Sequence, residues 1–123
     1  PGVKVTAQSS YYSTAPIDSS GPDYTNAVVS VHTTLTAPAL LACLQSIESA
    51  AGRERPYRNA PRTLDLDILL YGDAYVSSAD LSIPHPRMLQ RAFVLLPLSE
   101  IAPQRVTEAQ LQAVAEQYIT RLQ

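Results

Sequence analysis

The sequence predicts an α+β fold, a layer of helices on a mostly antiparallel sheet, and three observations carry that prediction. Two stretches near the start alternate polar with apolar or β-branched residues. A stripe of leucines at helical spacing follows them. A third alternating stretch comes next, giving a β-β-α-β order with more strands and helices behind it. At 123 residues the chain has the size of one domain spanning 1–123, and 46% hydrophobic residues can build a core.

Each element has a local cause. Val3 to Thr14 alternates and reads as a strand, followed by a turn-rich loop through Ala15-Pro16 and Asp18–Pro22. Tyr24 to Thr34 reads as a second strand. Thr36 is an N-cap candidate, Pro38 suits a first helical turn, and Leu40, Leu41, Leu44 and Ile47 form one apolar face ended by Gly52. Leu64 to Leu70 is the third strand and Gly72-Asp73 a turn. Short strands are expected at Tyr75–Val76 and Leu81–Ile83, before the break at Pro84-His85-Pro86. A helical stretch from Arg87 to Leu96 should end before Pro97. The last helix starts at the cap Thr107 and carries Leu111, Val114, Ala115, Tyr118, Ile119 and Leu122 on one face.

Composition removes several classes of function. A single cysteine, Cys43, cannot make an internal disulfide, and it reads as a small core residue. Nine basic against eleven acidic side chains leave a net charge of −2, so there is no global basic field for nucleic acid. The apolar runs are far shorter than a membrane span, so no membrane partner is expected. The chain opens at Pro1-Gly2-Val3 with neither Met nor a signal-peptide pattern, and it reads as starting inside a larger domain.

The local distribution of charge is more informative than the total. Arg53, Arg55, Arg58 and Arg62 crowd one ten-residue window, which runs directly into Leu64-Asp65-Leu66-Asp67-Ile68. Arginine suits bidentate contact with phosphate oxygens. In a strand, Asp65 and Asp67 point to one face with Cα atoms roughly 6.5 Å apart, and the alternating Leu64, Leu66, Ile68 and Leu70 point to the other. Two carboxylates side by side invite a divalent cation, and Mg²⁺ takes one or two carboxylates plus substrate phosphates. Taken alone the D-x-D is more often a solvated edge-strand face. The Arg window beside it shifts the balance.

The stretch Arg58-Asn-Ala-Pro61-Arg62-Thr-Leu-Asp65-Leu-Asp67-Ile-Leu-Leu-Tyr-Gly72 resembles the signature of the 6-hydroxymethyl-7,8-dihydropterin pyrophosphokinase family of folate biosynthesis. Pro22–Ala27, Ile83–Met88, Arg91–Leu95 and Pro97–Pro103 resemble further family segments in the same order, so the resemblance runs from about Ser10 to Pro103. It implies a ferredoxin-like sandwich whose N-terminal strand and helix are absent from this chain. It also implies transfer of pyrophosphate from ATP to the pterin's hydroxymethyl group, giving AMP, with two Mg²⁺ ions. A cytoplasmic monomer is expected.

The resemblance also distributes roles. Asp65 and Asp67 would bind the metal ions. Arg53 and Arg62 would stabilise charge on the moving phosphoryl group, with Arg55 in the same loop. His85 and Arg91 would hold the triphosphate, and Gln45 and Ile68 would lie near the nucleotide, with Glu48 in the same set. Tyr24 and Phe93 would sandwich the pterin ring, while Asn26 and Thr14 hydrogen-bond its edge. The chain departs from the family at Asn59-Ala60, where many members carry Trp-Gly, and at Ser13, where Arg is common. Read without the resemblance, Phe93 is a core residue, Tyr24 a surface aromatic and His85 a loop histidine. Two other functions fit the residues alone: a different Mg²⁺-dependent nucleotidyl or phosphoryl transferase, and a ferredoxin-like binding module without turnover.

Overall fold

The computed structural model describes residues 2–14, 23–51 and 64–122. They form an α+β, ferredoxin-like set of elements in which every strand pairing is antiparallel. The chain divides into two compact units, Pro1–Thr33 with Arg87–Gln123, and Thr34–Pro86.

In the first unit, each of the two long expected strands is divided. Residues Val3–Gln8 (β1) pair with Val29–Thr33 (β4), and Tyr12–Thr14 (β2) pair with Tyr24–Asn26 (β3). Both arms break at the same level, at Ser9 and Val28. The Ser9 N–H donates to the Val28 carbonyl, and the Val28 N–H donates to Ser9 Oγ, both at 2.9 Å. A serine hydroxyl thus takes the place of a ladder carbonyl, as short polar side chains can when they compete with the backbone. Ser9 is buried, and its own hydroxyl donates to the Ser10 carbonyl at 2.8 Å.

The C-terminal half of this unit departs further from expectation. Instead of one helix ending before Pro97, a 3₁₀ turn at Met88–Gln90 leads into helix α2, Ala92–Ile101, with Pro97 inside it. A mid-helix proline forfeits one hydrogen bond and costs about 3 kcal/mol. Burial offsets that cost, because Ala92, Val94, Leu95, Pro97 and Leu98 are all removed from solvent. The last helix, α3, spans only Glu108–Ala113. Thr107 caps it as the sequence indicates, in a capping box with Gln110. The expected continuation through Tyr118 and Leu122 does not form. Residues Ile119–Arg121 become strand β7 on the open side of β2, in a sheet ordered β3-β2-β7. A vacant strand edge outweighs helical periodicity here, and the Leu122 N–H continues the pairing to the Tyr11 carbonyl at 2.8 Å. Ala92, Leu95 and Val114 centre the core, with Leu96, Val106, Leu111 and Ile119 packed around them.

In the second unit, helix α1 spans Ala37–Ala51. The Ala39 N–H donates to Thr36 Oγ1 and Pro38 occupies the first turn, as the sequence indicates. The apolar stripe fades along the helix, from buried Leu40 to exposed Ile47. Gly72 turns the chain at φ +55°, and the strands Val76–Ser77 (β5) and Ser82–Ile83 (β6) pair as a short ladder. Residues 64–70 do not form the expected strand. Their backbone groups find partners outside a ladder: the Leu66 N–H donates to Glu48, and the Leu69 carbonyl accepts from the His85 N–H at 2.9 Å. The expected alternation survives, with Leu66 and Ile68 turned in and Asp65 and Asp67 exposed. Gly52 and the arginine window lie outside the described residues.

Leu95 has no exposed surface. We expect Leu95→Ala to lower unfolding free energy by about 2–5 kcal/mol in urea titrations, and Tyr75→Ala, at an exposed site, to stay within about 0.5 kcal/mol of the parent.

Candidate functional site

The described candidate residues fall into two groups, one per unit. In the first unit the group is built on β2 and β3. Register places Thr14 opposite Tyr24 and Tyr12 opposite Asn26, so all four side chains share one face of the sheet. Exposure separates their roles. Tyr12 is 7% exposed and Thr14 is 5% exposed, whereas Tyr24 keeps 54% of its surface open and can offer a ring to a ligand. Asn26 Nδ2 donates to Thr14 Oγ1 at 2.9 Å, so the buried hydroxyl orients the amide. Helix α2 packs against β2 and brings Phe93 in its first turn. Arg91, immediately before the helix, lies over the Phe93 ring with its guanidinium carbon 5.2 Å from the centroid.

One anchor of this group lies in the family-like segment Pro97–Pro103 but has no role assigned to it from the sequence. Glu100, in the last turn of α2, accepts a short hydrogen bond from the Tyr12 hydroxyl on one carboxylate oxygen and the Ser10 N–H at 2.9 Å on the other. Arg121 Nε donates to Ser10 Oγ at 3.0 Å. The Tyr12 hydroxyl, first of all, holds the Glu100 carboxyl below its usual range. Burial, followed by the bond to Glu100, pushes the Tyr12 phenol up to about 12.

In the second unit the group centres on residues 64–70. Glu48 on α1 accepts the Leu66 N–H at 2.6 Å, fixing the peptide between Asp65 and Asp67. Gln45 lies three residues before Glu48 and is its neighbour on the helix face. The His85–Leu69 backbone bond sets His85 beside the same segment, next to buried Ile68. These two hydrogen bonds tie the segment that carries Asp65, Asp67 and Ile68 to Glu48 on α1 and to the backbone of His85. Glu48, which the resemblance groups with these residues, has a definite structural task, holding the Leu66 N–H. Arg53, Arg55 and Arg62 lie outside the described residues.

The donor set of the D-x-D segment suits a hard cation. Two exposed carboxylates on alternate positions match Mg²⁺, which completes its shell with water and phosphate oxygens. Among the described residues no group of three or more His, Cys, Asp or Glu side chains could hold a metal by itself. No helix among them is long and apolar enough to cross a membrane.

Comparison with known proteins gives a consistent result. Residues 2–103 match the family model described as 7,8-dihydro-6-hydroxymethylpterin-pyrophosphokinase. The chain is 46% identical over 102 residues to the 2-amino-4-hydroxy-6-hydroxymethyldihydropteridine pyrophosphokinase of Synechocystis, covering 83% of this chain and 52% of that protein. The protein of the same name from Methylorubrum extorquens is 46% identical over 107 residues, covering 86% of this chain and 68% of the relative. The one from Bacillus subtilis is 44% identical over 108 residues, covering 87% and 65%. The chain thus spans between about half and two thirds of the length of these relatives.

The Tyr12–Glu100 contact has a pH signature. The fold favours ionised Glu100, a contribution present above the ordinary carboxyl value of 4.5 and lost as pH falls through the lowered folded value. It also favours neutral Tyr12, a contribution present below 10.0 and lost as pH rises towards about 12. Denaturant titrations across pH should show Tyr12→Phe less stable than the parent by about 1 kcal/mol near neutrality. The gap should narrow at both extremes, and a gap independent of pH would contradict the assignment.

Proposed function

The chain belongs to the 7,8-dihydro-6-hydroxymethylpterin-pyrophosphokinase family, and on that premise we propose that it carries most of the site for pyrophosphate transfer from ATP to 6-hydroxymethyl-7,8-dihydropterin. The observation that carries this reading is the pair of exposed carboxylates, Asp65 and Asp67. The peptide between them is fixed by Glu48, and His85 is tied to the same segment. The family match runs through both compact units, which supports reading 1–123 as part of one catalytic domain.

In this reading the pterin hydroxyl oxygen attacks the β-phosphorus of ATP. The bond from that phosphorus to the bridging oxygen on the α-phosphate breaks, AMP leaves, and the hydroxyl proton passes to solvent. Tyr24 and Phe93 stack on the flat pterin ring. Asn26, oriented by Thr14, hydrogen-bonds the pterin edge. Arg91 and His85 hold the triphosphate, and Gln45 and Ile68 border the nucleotide. Arg53 and Arg62 balance negative charge on the transferring group, with Arg55 beside them. Asp65 and Asp67 would hold two Mg²⁺ ions, which when bound screen the phosphate charge. No side chain has to act as a strong base, because phosphoryl transfer runs largely on positioning and electrostatics. The protein acts as a monomer in the cytoplasm on small molecules, without nucleic acid or membrane partners.

Asp67→Ala should lower turnover by about a hundredfold or more while leaving the far-ultraviolet circular dichroism unchanged, since Asp67 is exposed. Turnover within a few-fold of the parent would refute the metal assignment. Arg62→Ala should reduce turnover more than pterin affinity, and calorimetry with 6-hydroxymethylpterin separates the two. A selective loss of pterin binding would show that Arg62 has been given the wrong role.

A further inference from the structure

Arg91 occupies an unusual backbone position. It is a single extended residue, φ −126° and ψ 115°, between the 3₁₀ turn at Met88–Gln90 and helix α2. It stands at the N-cap of α2, yet its own side chain makes no capping hydrogen bond. The first N–H groups of a helix need partners from elsewhere in that case. The partner comes from the turn between α3 and β7. Gln117 Oε1 accepts the Ala92 N–H at 2.8 Å, and Gln117 Nε2 donates to the Gln90 carbonyl at 2.7 Å. One amide therefore grips the backbone on both sides of Arg91. Phe93 is the next residue but one, and the Arg91 guanidinium lies over its ring.

Gln117 lies beyond residues 2–103, the part that matches the family model. The same C-terminal stretch supplies β7, which pairs with β2 in the register Thr14↔Ile119. We propose that Gln117 is a positioning residue: its two-sided amide clamp fixes the Arg91 backbone, so that Arg91 and Phe93 are preset for phosphate and pterin. This rests on the functional reading of those two residues given above. The clamp is geometrically specific. A glutamine side chain that accepts from residue 92 and donates to residue 90 allows only a narrow range for the peptide units between them. Losing it leaves Arg91 held only by its own backbone bonds to Met88, Val94 and Leu95, without removing a charge or an aromatic ring.

The test compares the full chain with Gln117→Met, which keeps the side-chain length and removes both donor and acceptor. Hydrogen exchange at the Ala92 amide reports the clamp directly. Calorimetry with 6-hydroxymethylpterin, and with a non-hydrolysable ATP analogue plus Mg²⁺, reports its consequence. We expect Ala92 to lose protection and both ligands to bind about five- to tenfold more weakly, while the β7 amides stay protected. Gln112→Met, at an exposed position on α3, should bind as the parent does. Gln117→Glu keeps an acceptor for Ala92 and loses the donor to Gln90, so its affinity should fall between parent and Met variant. If Gln117→Met does not fold, Gln117→Glu decides the matter by the same criterion. Parental binding by the variant that is read would overturn the inference, as would unchanged Ala92 protection in Gln117→Met. Absence of ligand binding in the parent itself would overturn the functional reading together with the inference.

Discussion

The carboxylate of Glu100 is the fixed point from which the first unit is organised. It accepts from the Tyr12 hydroxyl and from the Ser10 N–H, and so bolts the last turn of α2 to the start of β2. Strand β2 is only three residues long, at the short end for a strand, so few ladder bonds hold it on either side. Yet β3 and β7 both depend on it for pairing, and α2 packs against it. A buried phenol needs a partner for its hydroxyl, because an unpaired buried polar group costs about 1–3 kcal/mol. With Glu100 in place, the burial of Tyr12 sets the height of β2 relative to α2. The side chains proposed for the pterin follow from that height, since Thr14 lies two residues along and Tyr24 and Asn26 are its cross-strand neighbours.

The second unit applies the same economy to different chemistry. Two carboxylates stand on one side of a segment whose other side is apolar. A third carboxylate, Glu48, accepts the N–H between them, which frees that segment from the need for a neighbouring strand at this position. The proposed transfer asks little acid or base strength of any side chain. It asks that charged groups be held still before substrate arrives. Hydrogen bonds from side chain to backbone meet that requirement at Leu66, Ala92 and Gln90, each next to a residue proposed for the site, and at Ser10, just ahead of the strand that carries Thr14.

The features legible in the sequence are those with local causes. Thr36 with Pro38, the turn at Gly72 and the cap at Thr107 each act within a few residues, and each stands where the sequence indicates. The alternation of Asp65 and Asp67 with leucines predicts which side chains face solvent even though no ladder forms there. The misread features depend on partners distant in sequence. Ser9 looks like one more polar residue in an alternating strand until Val28 lies opposite it. Pro97 reads as a stop signal, but the burial of its neighbours carries the helix through. Tyr118, Ile119 and Leu122 have helical spacing, and the free edge of β2 claims the stretch as a strand. Glu100 sits in a family-like segment that does not reveal its task and Gln117 in no motif at all, and their tasks are set by groups 90 and 25 residues away.

The proposed transfer moves a pyrophosphate group to the pterin and releases AMP. Phosphorus-31 NMR of the protein with ATP, Mg²⁺ and 6-hydroxymethyl-7,8-dihydropterin tests it most directly. AMP and a pterin diphosphate ester should appear in equal amounts, with no ATP consumed when the pterin is left out. Formation of ADP, or ATP consumption that does not depend on the pterin, would contradict it.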